Sequence, residues 1–290
     1  MDARLLVDVV IPVFNDAERL RHCLQALARQ TLTADSFAVW VVDNNSDPPL
    51  QLAPQPFGLS LRRCMEPGSY AARNVVLPEL SAPWVAFTDA DCLPADDWLE
   101  QGLQAASHSQ GLLAGAIRMV PSRPEQPSLA DRLEIAFGMR QDHYVRQGGF
   151  GITANLWVQR PLLEGLGPFD AQRKSGADRE FCLRARAAGI PVTYGPQCLV
   201  THPARSEAEL YQKARRLIGG RVDAAGGQPH RQLLALVLHS KPLLREWRLT
   251  LTMPLPWPTR LAMMQLLLQL RLAAAREWLR LVLARQASQR

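Results

Sequence analysis

Short apolar runs, each ended by a cluster of polar turn-forming residues, dominate the first half of the chain. Residues 5–14 and 37–42 are apolar and rich in β-branched side chains, which predicts two buried strands. Asn15 and Asp16 follow the first run and can cap an amphipathic helix that extends to about residue 29. The order strand, helix, strand is typical of a βαβ unit with parallel strands.

The same alternation continues through the middle of the chain. A third buried strand is predicted over residues 84–88, which run directly into Asp89. Further helices are predicted over residues 70–77, 96–109, 128–146 and 178–188, and further extended segments over 112–119, 152–160, 190–194 and 197–200. From about residue 206 the pattern is helical. The sequence therefore predicts an α/β fold, a Rossmann-type mixed sheet flanked by helices, with a C-terminal helical extension.

Charge distinguishes the two predicted parts of the chain, an α/β domain over residues 1–205 and a helical extension over 206–290. The formal net charge is +6, yet residues 231–290 hold ten Lys and Arg against two Glu. The α/β domain is therefore close to neutral. We expect no nucleic-acid partner, because proteins of that class line their recognition surface with basic residues.

Polar side chains follow the predicted strands at the points where these strands end. Because the carboxyl ends of parallel strands meet at one sheet edge, we expect Asn15 and Asp43 to be neighbours there. Asp89 and Asp91 follow the third strand, and two carboxylates one residue apart can share a divalent cation. Such oxygen ligands suit Mg²⁺ or Mn²⁺. The structural alternative is that both aspartates only form a turn or a helix cap.

Five separated segments resemble, in the same order, the motifs of the family 2 glycosyltransferases with the GT-A fold. They are Val-Val-Ile-Pro-Val-Phe-Asn at 9–15, Val-Val-Asp-Asn-Asn-Ser at 41–46, Ala-Ala-Arg-Asn at 71–74, Phe-Thr-Asp-Ala-Asp at 87–91 and Gly-Ala-Asp-Arg-Glu-Phe-Cys-Leu-Arg at 176–184. The resemblance implies transfer of a sugar, with inversion, from a nucleotide diphosphate sugar to an acceptor hydroxyl. It also implies that residues 1–110 bind the donor and residues 111–205 the acceptor.

The resemblance assigns expected roles to individual residues of the donor half. The donor-binding positions are Pro12, Asn15, Asp43, Asn45, Arg73 and Asp89. Asp91 and His202 are the expected ligands of Mg²⁺ or Mn²⁺, with Asp89 assisting. A cation across two phosphates would offset the negative charge that grows on the leaving nucleotide diphosphate. Each residue also has a structural alternative: Asp43 can cap a turn, Arg73 can form a surface ion pair, and His202 can be a loop residue.

Asp178 matches the general base of inverting relatives, which takes the proton of the acceptor hydroxyl. Many relatives have Glu-Asp where this chain has Ala177 and Asp178, so the acidic neighbour is absent. Asp178 also falls in the first turn of a predicted helix, where the helix dipole favours an acidic residue whatever its chemistry. Asn155 and Glu180 are the expected acceptor-binding residues, and Glu180 can equally be a charge on the helix surface.

The basic tail predicts a helix over residues 259–286. Gln265, Gln269, Arg276 and Arg280 fall on one face of it. This helix can pack on the catalytic domain, form a homodimer, or lie on a membrane surface with its Arg side chains at anionic phosphates. In the last case we expect a lipid-linked or cell-envelope glycan as the acceptor.

Cysteine usage and the first residues of the chain predict a cytoplasmic location. The five cysteines form no CxxC pair and suggest no disulfide framework. The chain does not begin with a basic leader followed by an apolar run and a cleavage site. Its longest uncharged apolar run, residues 261–270, is shorter than the ~18 residues of a membrane span. We expect a cytoplasmic protein, either free or peripheral on the cytoplasmic face of the membrane.

Two other functions are compatible with an α/β fold that binds a metal–diphosphate. One is a sugar-nucleotide-forming nucleotidyltransferase, but no glycine-rich basic phosphate loop stands near the N-terminus. The other is a non-catalytic scaffold that binds a nucleotide or a membrane. The presence of both Asp91 and Asp178 favours an enzyme over such a scaffold.

Overall fold

The computed structural model describes residues 5–240 and 242–283. Its strands are β1 (Val7–Val13), β2 (Phe37–Asp43), β3 (Gly58–Arg63), β4 (Trp84–Thr88), β5 (Leu93–Pro94), β6 (Leu112–Val120), β7 (Asn155–Gln159) and β8 (Thr193–Pro203). They form one sheet in the order β3-β2-β1-β4-β7-β6-β8-β5. Strands β3, β2, β1 and β4 are parallel, whereas β7 is antiparallel to β4 and β6. The predicted mixed sheet is thus confirmed.

Eleven α-helices accompany these strands in the described residues. They are α1 (Ala17–Leu27), α2 (Ser69–Val76), α3 (Trp98–Ala106), α4 (Leu129–Phe137), α5 (Gln141–His143), α6 (Arg160–Leu166), α7 (Ala177–Ala187), α8 (Glu207–Ala224), α9 (Pro229–Ser240), α10 (Pro242–Leu251) and α11 (Trp257–Leu283). None of the described helices combines the length and apolar character needed to cross a membrane. Residues 284–286 of the predicted tail helix lie outside the described residues.

The chain divides into two compact units. The first contains the residues up to Arg118 together with Met139–Gln172 and Gly176–His202. The second contains Met119–Gly138, Arg173–Ser175 and the residues from Pro203 onward. The second unit therefore includes α4 as well as α8 to α11. Residues 119–138 and 173–175, which the sequence-based division placed in the α/β domain, group with the C-terminal helices.

The sheet of the first unit is buried on both faces. Side chains of β1 alternate between them: Val9 and Ile11 pack in one apolar cluster with α1 and α3, and Val10 packs in another with α2 and α7. Full burial of such a side chain stabilises the fold by about 1.5–3 kcal/mol. Asp8 is the charged exception in β1. Its carboxylate accepts hydrogen bonds from Trp40 Nε1 at 2.9 Å and from the backbone of Ser81 at 2.8 Å.

Pro12 lies in β1 where the sheet opens. The pairing of β1 with β4 ends at Val10 and Phe87, two residues before Pro12. Proline has no N–H to donate, so it cannot continue a hydrogen-bonded ladder on that side. The pairing of β1 with β2 continues through Val13 and Asp43. The carboxyl ends of β1 and β4 are therefore free to separate, which forms the crevice in which ligands of such sheets bind.

The second unit has its own apolar core. Leu133 of α4, Leu210 and Ile218 of α8, and Leu266 and Leu270 of α11 pack together in it. Beside this core, Glu134 is 1% exposed. Its carboxylate pairs with Lys213 Nζ at 2.6 Å and with Arg205 Nη1 at 3.3 Å. The residues of the C-terminal extension that look amphipathic in the sequence thus build a packed helical unit.

Several sequence-based boundaries differ from the structure. The helix expected over residues 128–146 ends at Phe137, because Gly138 leaves the helical conformation at φ −67° and ψ −144°. The segments expected at 190–194 and 197–200 form one strand, β8. Strand β3 and helix α6 were not predicted. All five cysteines are buried and free.

Candidate active site

The carboxyl ends of β1 and β2 are joined by a short hydrogen-bonded network. Ser46 Oγ accepts from the backbone N–H of Asn15 at 2.9 Å, and the N–H of Ser46 donates to Asp43 Oδ1 at 2.9 Å. Asn15 Oδ1 accepts from the N–H of Asp47 at 2.9 Å. The expected proximity of Asn15 and Asp43 is therefore observed, and Ser46 is the residue between them. Asn15 reaches this position with φ +49°, a left-handed conformation that asparagine tolerates.

Asp43 is buried at this edge with 2% exposure. Burial acts to raise the pKa of its carboxyl group, but hydrogen bonds from Ser46 and from the N–H of Leu50, together with the charge of Arg63, lower the pKa below its ordinary value. Asp43 is therefore held as a carboxylate, which can only accept hydrogen bonds. Asn45 stands beside it with φ +65°, and its Oδ1 accepts from Arg63 Nη2 at 2.9 Å.

Asn44 anchors the loop that leads from β3 to α2. Its Nδ2 donates to the carbonyl oxygen of Glu66 at 2.6 Å, and its Oδ1 accepts from the N–H of Gly68 at 2.7 Å. Gly68 is the residue directly before α2. The amide of Asn44 therefore fixes the start of α2 next to the end of β2. No role was predicted for Asn44 from the sequence.

Asp91 and His202 are brought together by strand pairing. Leu93 pairs with Thr201 in the antiparallel contact of β5 with β8. Asp91, two residues before Leu93, therefore lies close to His202, which directly follows Thr201. His202 Nε2 lies 3.3 Å from Asp91 Oδ2. The imidazole is buried at 1% exposure, whereas the aspartate side chain is 19% exposed. The carboxylate of Asp91 is therefore the more accessible member of the pair.

This pair fits a divalent cation. Two ligand atoms at ~2.1 Å from an octahedral ion stand about 3 Å apart, which is close to the separation of Oδ2 and Nε2. Carboxylate oxygen suits both Mg²⁺ and Mn²⁺, and imidazole is acceptable to Mn²⁺. Among the described residues, the potential ligand atoms of Asp91, Cys92 and His202 lie within 4.8 Å of one another.

Cys92 is a poor third ligand. Its Sγ is buried, and the thiol donates to the carbonyl oxygen of Ala154 at 3.6 Å. Burial, followed by the charges of Asp91 and Asp89, raises the pKa of this thiol well above its ordinary value. A thiol must lose its proton to bind a metal. Cys92 therefore packs in the core below the pair instead of joining it.

Arg73 and Asp89 form an ion pair between α2 and the end of β4. Arg73 Nη2 donates to Asp89 Oδ1, and Nη1 donates to the carbonyl oxygen of Ser69 at 3.2 Å. The guanidinium is 1% exposed, whereas the Asp89 side chain is 31% exposed. Arg73 is therefore a buried positive charge of the site, not the surface ion pair considered from the sequence. Asp89, placed by the sequence with the donor and the metal, is held by Arg73.

Asp178 lies at the start of α7, buried at 7% exposure. Its Oδ1 accepts from the N–H of Arg179 at 2.8 Å and its Oδ2 from the N–H of Thr153 at 3.3 Å. Burial raises the pKa of Asp178 above its ordinary value, and these hydrogen bonds, the charge of Arg73 and the hydroxyl of Tyr70 offset only part of that effect. A carboxylate with a raised pKa is a stronger proton acceptor, as a general base requires.

Tyr70 is a neighbour of Asp178 that the sequence reasoning missed. Its hydroxyl oxygen accepts from the N–H of Gly176 at 3.2 Å and faces the carboxylate two residues later. Gly176 adopts φ +80°, a left-handed conformation that favours glycine and turns the chain into α7. The spacing of Tyr70 and Arg73, three residues apart on one helical face, is the signal that would have found it.

The two residues expected to contact the acceptor have internal partners. Asn155 is fully buried: its Nδ2 donates to the carbonyl oxygens of Ala116 and Cys198 at 2.9 Å, and its Oδ1 accepts from Trp98 Nε1 at 3.0 Å. This is a structural role, in contrast to the acceptor contact expected from the sequence. Glu180 Oε1 lies 2.9 Å from Arg184 Nε on the same helix. The Glu180 side chain is only 28% exposed, and its Oε2 is buried without a hydrogen-bond partner among the described residues, so the acceptor contact of Glu180 stays a prediction.

The chain is similar in sequence to known proteins over most of its length. Residues 8–167 match the family model described as glycosyl transferase family 2. The glycosyltransferase AglE of Haloferax volcanii is 32% identical over 223 residues, which cover 74% of this chain and 73% of that protein. The chain belongs to glycosyl transferase family 2. It is a glycosyltransferase, and the alternatives of a nucleotidyltransferase and a non-catalytic scaffold find no support in this membership.

Two solved structures show the fold of this family member. The mannosyltransferase PcManGT from Pyrobaculum calidifontis, in complex with GDP-Man and Mn²⁺, gives a TM-score of 0.60 at 19% identity and covers 95% of this chain and 87% of its own. S. aureus TarS in complex with UDP-GlcNAc gives 0.52 at 15% identity, with 97% and 91% covered. Both confirm the predicted GT-A fold.

Proposed function

We propose that this family 2 glycosyltransferase transfers a sugar from a nucleotide diphosphate sugar to an acceptor hydroxyl by metal-assisted, inverting displacement. The observation that carries the proposal is the contact of Asp91 with His202 at the crevice of the sheet. The solved relatives hold GDP-Man with Mn²⁺ and UDP-GlcNAc, which supports a nucleotide sugar as donor.

In this proposal the donor lies across the carboxyl ends of β1, β2 and β4. Pro12 and Asn15 border the nucleotide, and the carboxylate of Asp43 accepts a hydrogen bond from the base. Asp91 and His202 hold Mg²⁺ or Mn²⁺, which when bound would offset the negative charge on the diphosphate leaving group. Asp89, oriented by Arg73, contacts the donor beside them.

Asp178 removes the proton of the acceptor hydroxyl as that oxygen attacks the anomeric carbon. The N–H groups of Thr153 and Arg179 orient the carboxylate, and its buried surroundings strengthen it as a proton acceptor. Attack from the side opposite the leaving diphosphate inverts the configuration at the anomeric carbon.

A donor-hydrolysis screen tests the metal-assisted part of the proposal. GDP- and UDP-sugars are incubated with the enzyme in Mn²⁺, in Mg²⁺ and in EDTA. We expect metal-dependent release of nucleotide diphosphate from one donor, lost in Asp91→Asn and kept in Asp35→Asn. Asp35 is an exposed aspartate in the turn before β2, so it controls for the loss of one charge. Equal turnover in EDTA would contradict metal assistance.

Proton NMR of the product tests the stereochemistry separately. The coupling constant of the new anomeric proton distinguishes inversion from retention. We expect inversion in the wild type and loss of product formation in Asp178→Asn. A product that retains the donor configuration would contradict the role of Asp178 as the base of a single displacement.

The acceptor is proposed to be lipid-linked, such as a precursor of a cell-envelope glycan, and the enzyme to lie on the cytoplasmic face of the membrane. Exposed apolar side chains of α9 and α10 support this contact. Leu233, Leu234, Val237, Leu238 and Leu244 each leave at least 49% of their surface exposed. Such side chains next to Arg residues are typical of a helix in the headgroup layer.

Liposome flotation tests the membrane contact. Truncation of the tail is unsuitable, because Leu266 and Leu270 of α11 belong to the core of the second unit. We expect that the double substitution Leu233→Ser and Leu234→Ser reduces flotation with anionic liposomes. Equal flotation of variant and wild type would contradict the contact. Loss of a dimer in light scattering would instead assign this surface to a homodimer.

A further inference from the structure

The second unit contains a groove between α8 and α11 with a volume of about 590 Å³. Its lining is mostly polar and comes from both helices: Tyr211 and Arg215 of α8, and Gln269, Leu272, Arg276 and Arg280 of α11. The α8 residues are four positions apart, and the α11 residues recur at helical spacing, so each helix presents one face to the groove.

The groove carries a net positive charge. Three guanidinium groups line it, and Glu277 is the one carboxylate among its lining residues. Glu277 is 6% exposed and pairs with Arg280, whose Nη2 lies 2.6 Å from Oε1. Within the described residues, Arg215 and Arg276 make no hydrogen bond or ion pair, and both side chains are exposed. Two cations thus point to the same cavity with unused donors.

The walls of this groove are fixed. Tyr211 Oη donates to Gln269 Oε1 at 3.2 Å, which ties α8 to α11 along the groove. Behind it, Ala214 and Ile218 of α8 pack against Leu270 and Ala274 of α11 in the apolar core. The helices that carry the guanidinium groups are therefore held together by packing, so ligand binding has to order mainly the arginine side chains.

The chemistry of the lining selects phosphate. Guanidinium groups match phosphate oxygens with pairs of charge-assisted hydrogen bonds, and the volume lies within the range of small-molecule sites. Apolar side chains of the same helix stand near the cations: Leu272 and Leu279 are each 47% exposed. Apolar groups beside a phosphate site fit a lipid better than a soluble anion, because they can contact its acyl chains.

We infer that this groove binds the phosphate group of an anionic lipid through Arg215, Arg276 and Arg280. The inference rests on the membrane contact proposed above and does not depend on the transfer reaction. It deepens that contact, since it assigns the recognition of the headgroup to three residues of the helical unit.

Vesicle co-sedimentation of the full chain tests the inference. The vesicles are phosphatidylcholine alone, or phosphatidylcholine with phosphatidylglycerol. The test variant is the double substitution Arg215→Gln and Arg276→Gln. The matched control, Arg123→Gln with Arg216→Gln, removes the same charge from exposed side chains that lie outside the groove and outside α9 and α10. Thermal unfolding first checks that both variants are folded.

We expect wild type to bind the phosphatidylglycerol vesicles, and the groove variant to bind at least about tenfold more weakly than the control, as the loss of charge-assisted hydrogen bonds predicts. Arg215→Lys with Arg276→Lys should restore part of the binding, because lysine keeps the charge but not the fork. Equal binding by groove variant and control would overturn the inference while leaving the membrane contact intact.

Soluble pyrophosphate in EDTA distinguishes the source of the phosphate. EDTA removes the divalent cation through which the catalytic site would bind the same anion. Weak calorimetric binding of pyrophosphate, with loss in the groove variant and strong vesicle binding, agrees with the lipid source. If the wild type binds pyrophosphate tightly but does not bind the vesicles, the lipid is not the source of the phosphate. That result would also overturn the membrane contact.

Discussion

The imidazole of His202 lies 3.3 Å from the carboxylate of Asp91, and the two residues are far apart in the chain. They meet because the short strand β5 begins two residues after Asp91 and pairs with β8. The pair therefore forms only when the sheet is complete. Any cation that it binds is linked to the folded state of the first unit.

Substitution of either proposed ligand, Asp91 or His202, should weaken metal binding without loss of the fold. We expect Asp91→Asn and His202→Gln to reduce the affinity for Mn²⁺, measured by calorimetry with nucleoside diphosphate present, by at least about tenfold, since even outer-shell partners of a metal contribute that much. Cys92→Ser is the control, because a protonated thiol donates little to the site. A larger loss for Cys92→Ser than for His202→Gln would identify the thiol as the ligand.

Substitution of Arg73 should destabilise the protein more than that of a comparable surface arginine. Arg73→Gln removes a charge-assisted hydrogen bond from a site with 1% exposure, which we expect to lower the free energy of unfolding by about 1–3 kcal/mol. Arg62 pairs with Glu79 at 39% and 38% exposure, so Arg62→Gln should cost less than about 1 kcal/mol. Urea unfolding of both variants measures the difference, and equal costs would refute a buried role for Arg73.

The transferase activity should fall in acid, at a pH above the ordinary pKa of an aspartate. As the proposed general base, Asp178 would act only when deprotonated, and burial raises its pKa, so kcat/KM should decline as the pH falls through that raised pKa. Asp178→Asn should reduce kcat by about 10²–10⁴-fold. A profile of kcat/KM against pH for the wild type checks the first expectation.

Tyr70→Phe should move this acid limb to higher pH. The Tyr70 hydroxyl lowers the pKa of Asp178, so its removal leaves the carboxyl group with a still higher pKa. Tyr194 is a tyrosine of the same unit whose charged neighbours are Asp142 and Arg146, and Tyr194→Phe serves as the control. A shift of the limb in Tyr194→Phe but not in Tyr70→Phe would exclude this role.

The helical unit should lose stability in acid through Glu134. Burial raises the pKa of this carboxyl group, but Lys213 and Arg205 outweigh burial and hold it below the ordinary value of 4.5. The carboxylate therefore stabilises the fold at neutral pH, and this contribution is lost as the pH falls below 4.5 through the lowered pKa. Thermal unfolding from pH 7 down to about pH 3, below the ordinary pKa, measures the loss.

Glu134→Gln should reproduce this loss at neutral pH. Breaking one partner of a buried ion pair costs about 3–5 kcal/mol. Glu164 forms an exposed pair with Arg160 four residues away, so Glu164→Gln should change the stability by less than about 1 kcal/mol. If both variants unfold at the same temperature, the buried pair contributes no more than a surface pair.

The central strands β1, β2 and β4 were predictable because strands that are buried on both faces consist mainly of apolar residues. All three are largely apolar runs. β3 was missed because it is an edge strand whose residues are exposed or half-buried, so it lacks that signal. The break at Gly138 was missed because the apolar spacing continues across it.

The site was predictable where chemistry required a residue type at a strand end, and less so where a side chain could face either way. Asp43 and Asp91 lie at the predicted sheet edge. Asn155, the first residue of β7, faces inward, and its side-chain amide donates to backbone carbonyl oxygens of β6 and β8. Periodicity alone does not reveal this orientation. The link from Asn44 to the start of α2 spans a loop, so no local pattern in the chain reported it.

Because all five cysteines are buried, this protein is suited to site-directed labelling at an introduced cysteine. All five cysteines lie in the described part of the chain, and none is more than 4% exposed. One cysteine introduced at an exposed position, such as Arg216→Cys beside the α8–α11 groove, would therefore take up a fluorophore or spin label alone. The rate at which the five native thiols react would then measure how often the core opens transiently.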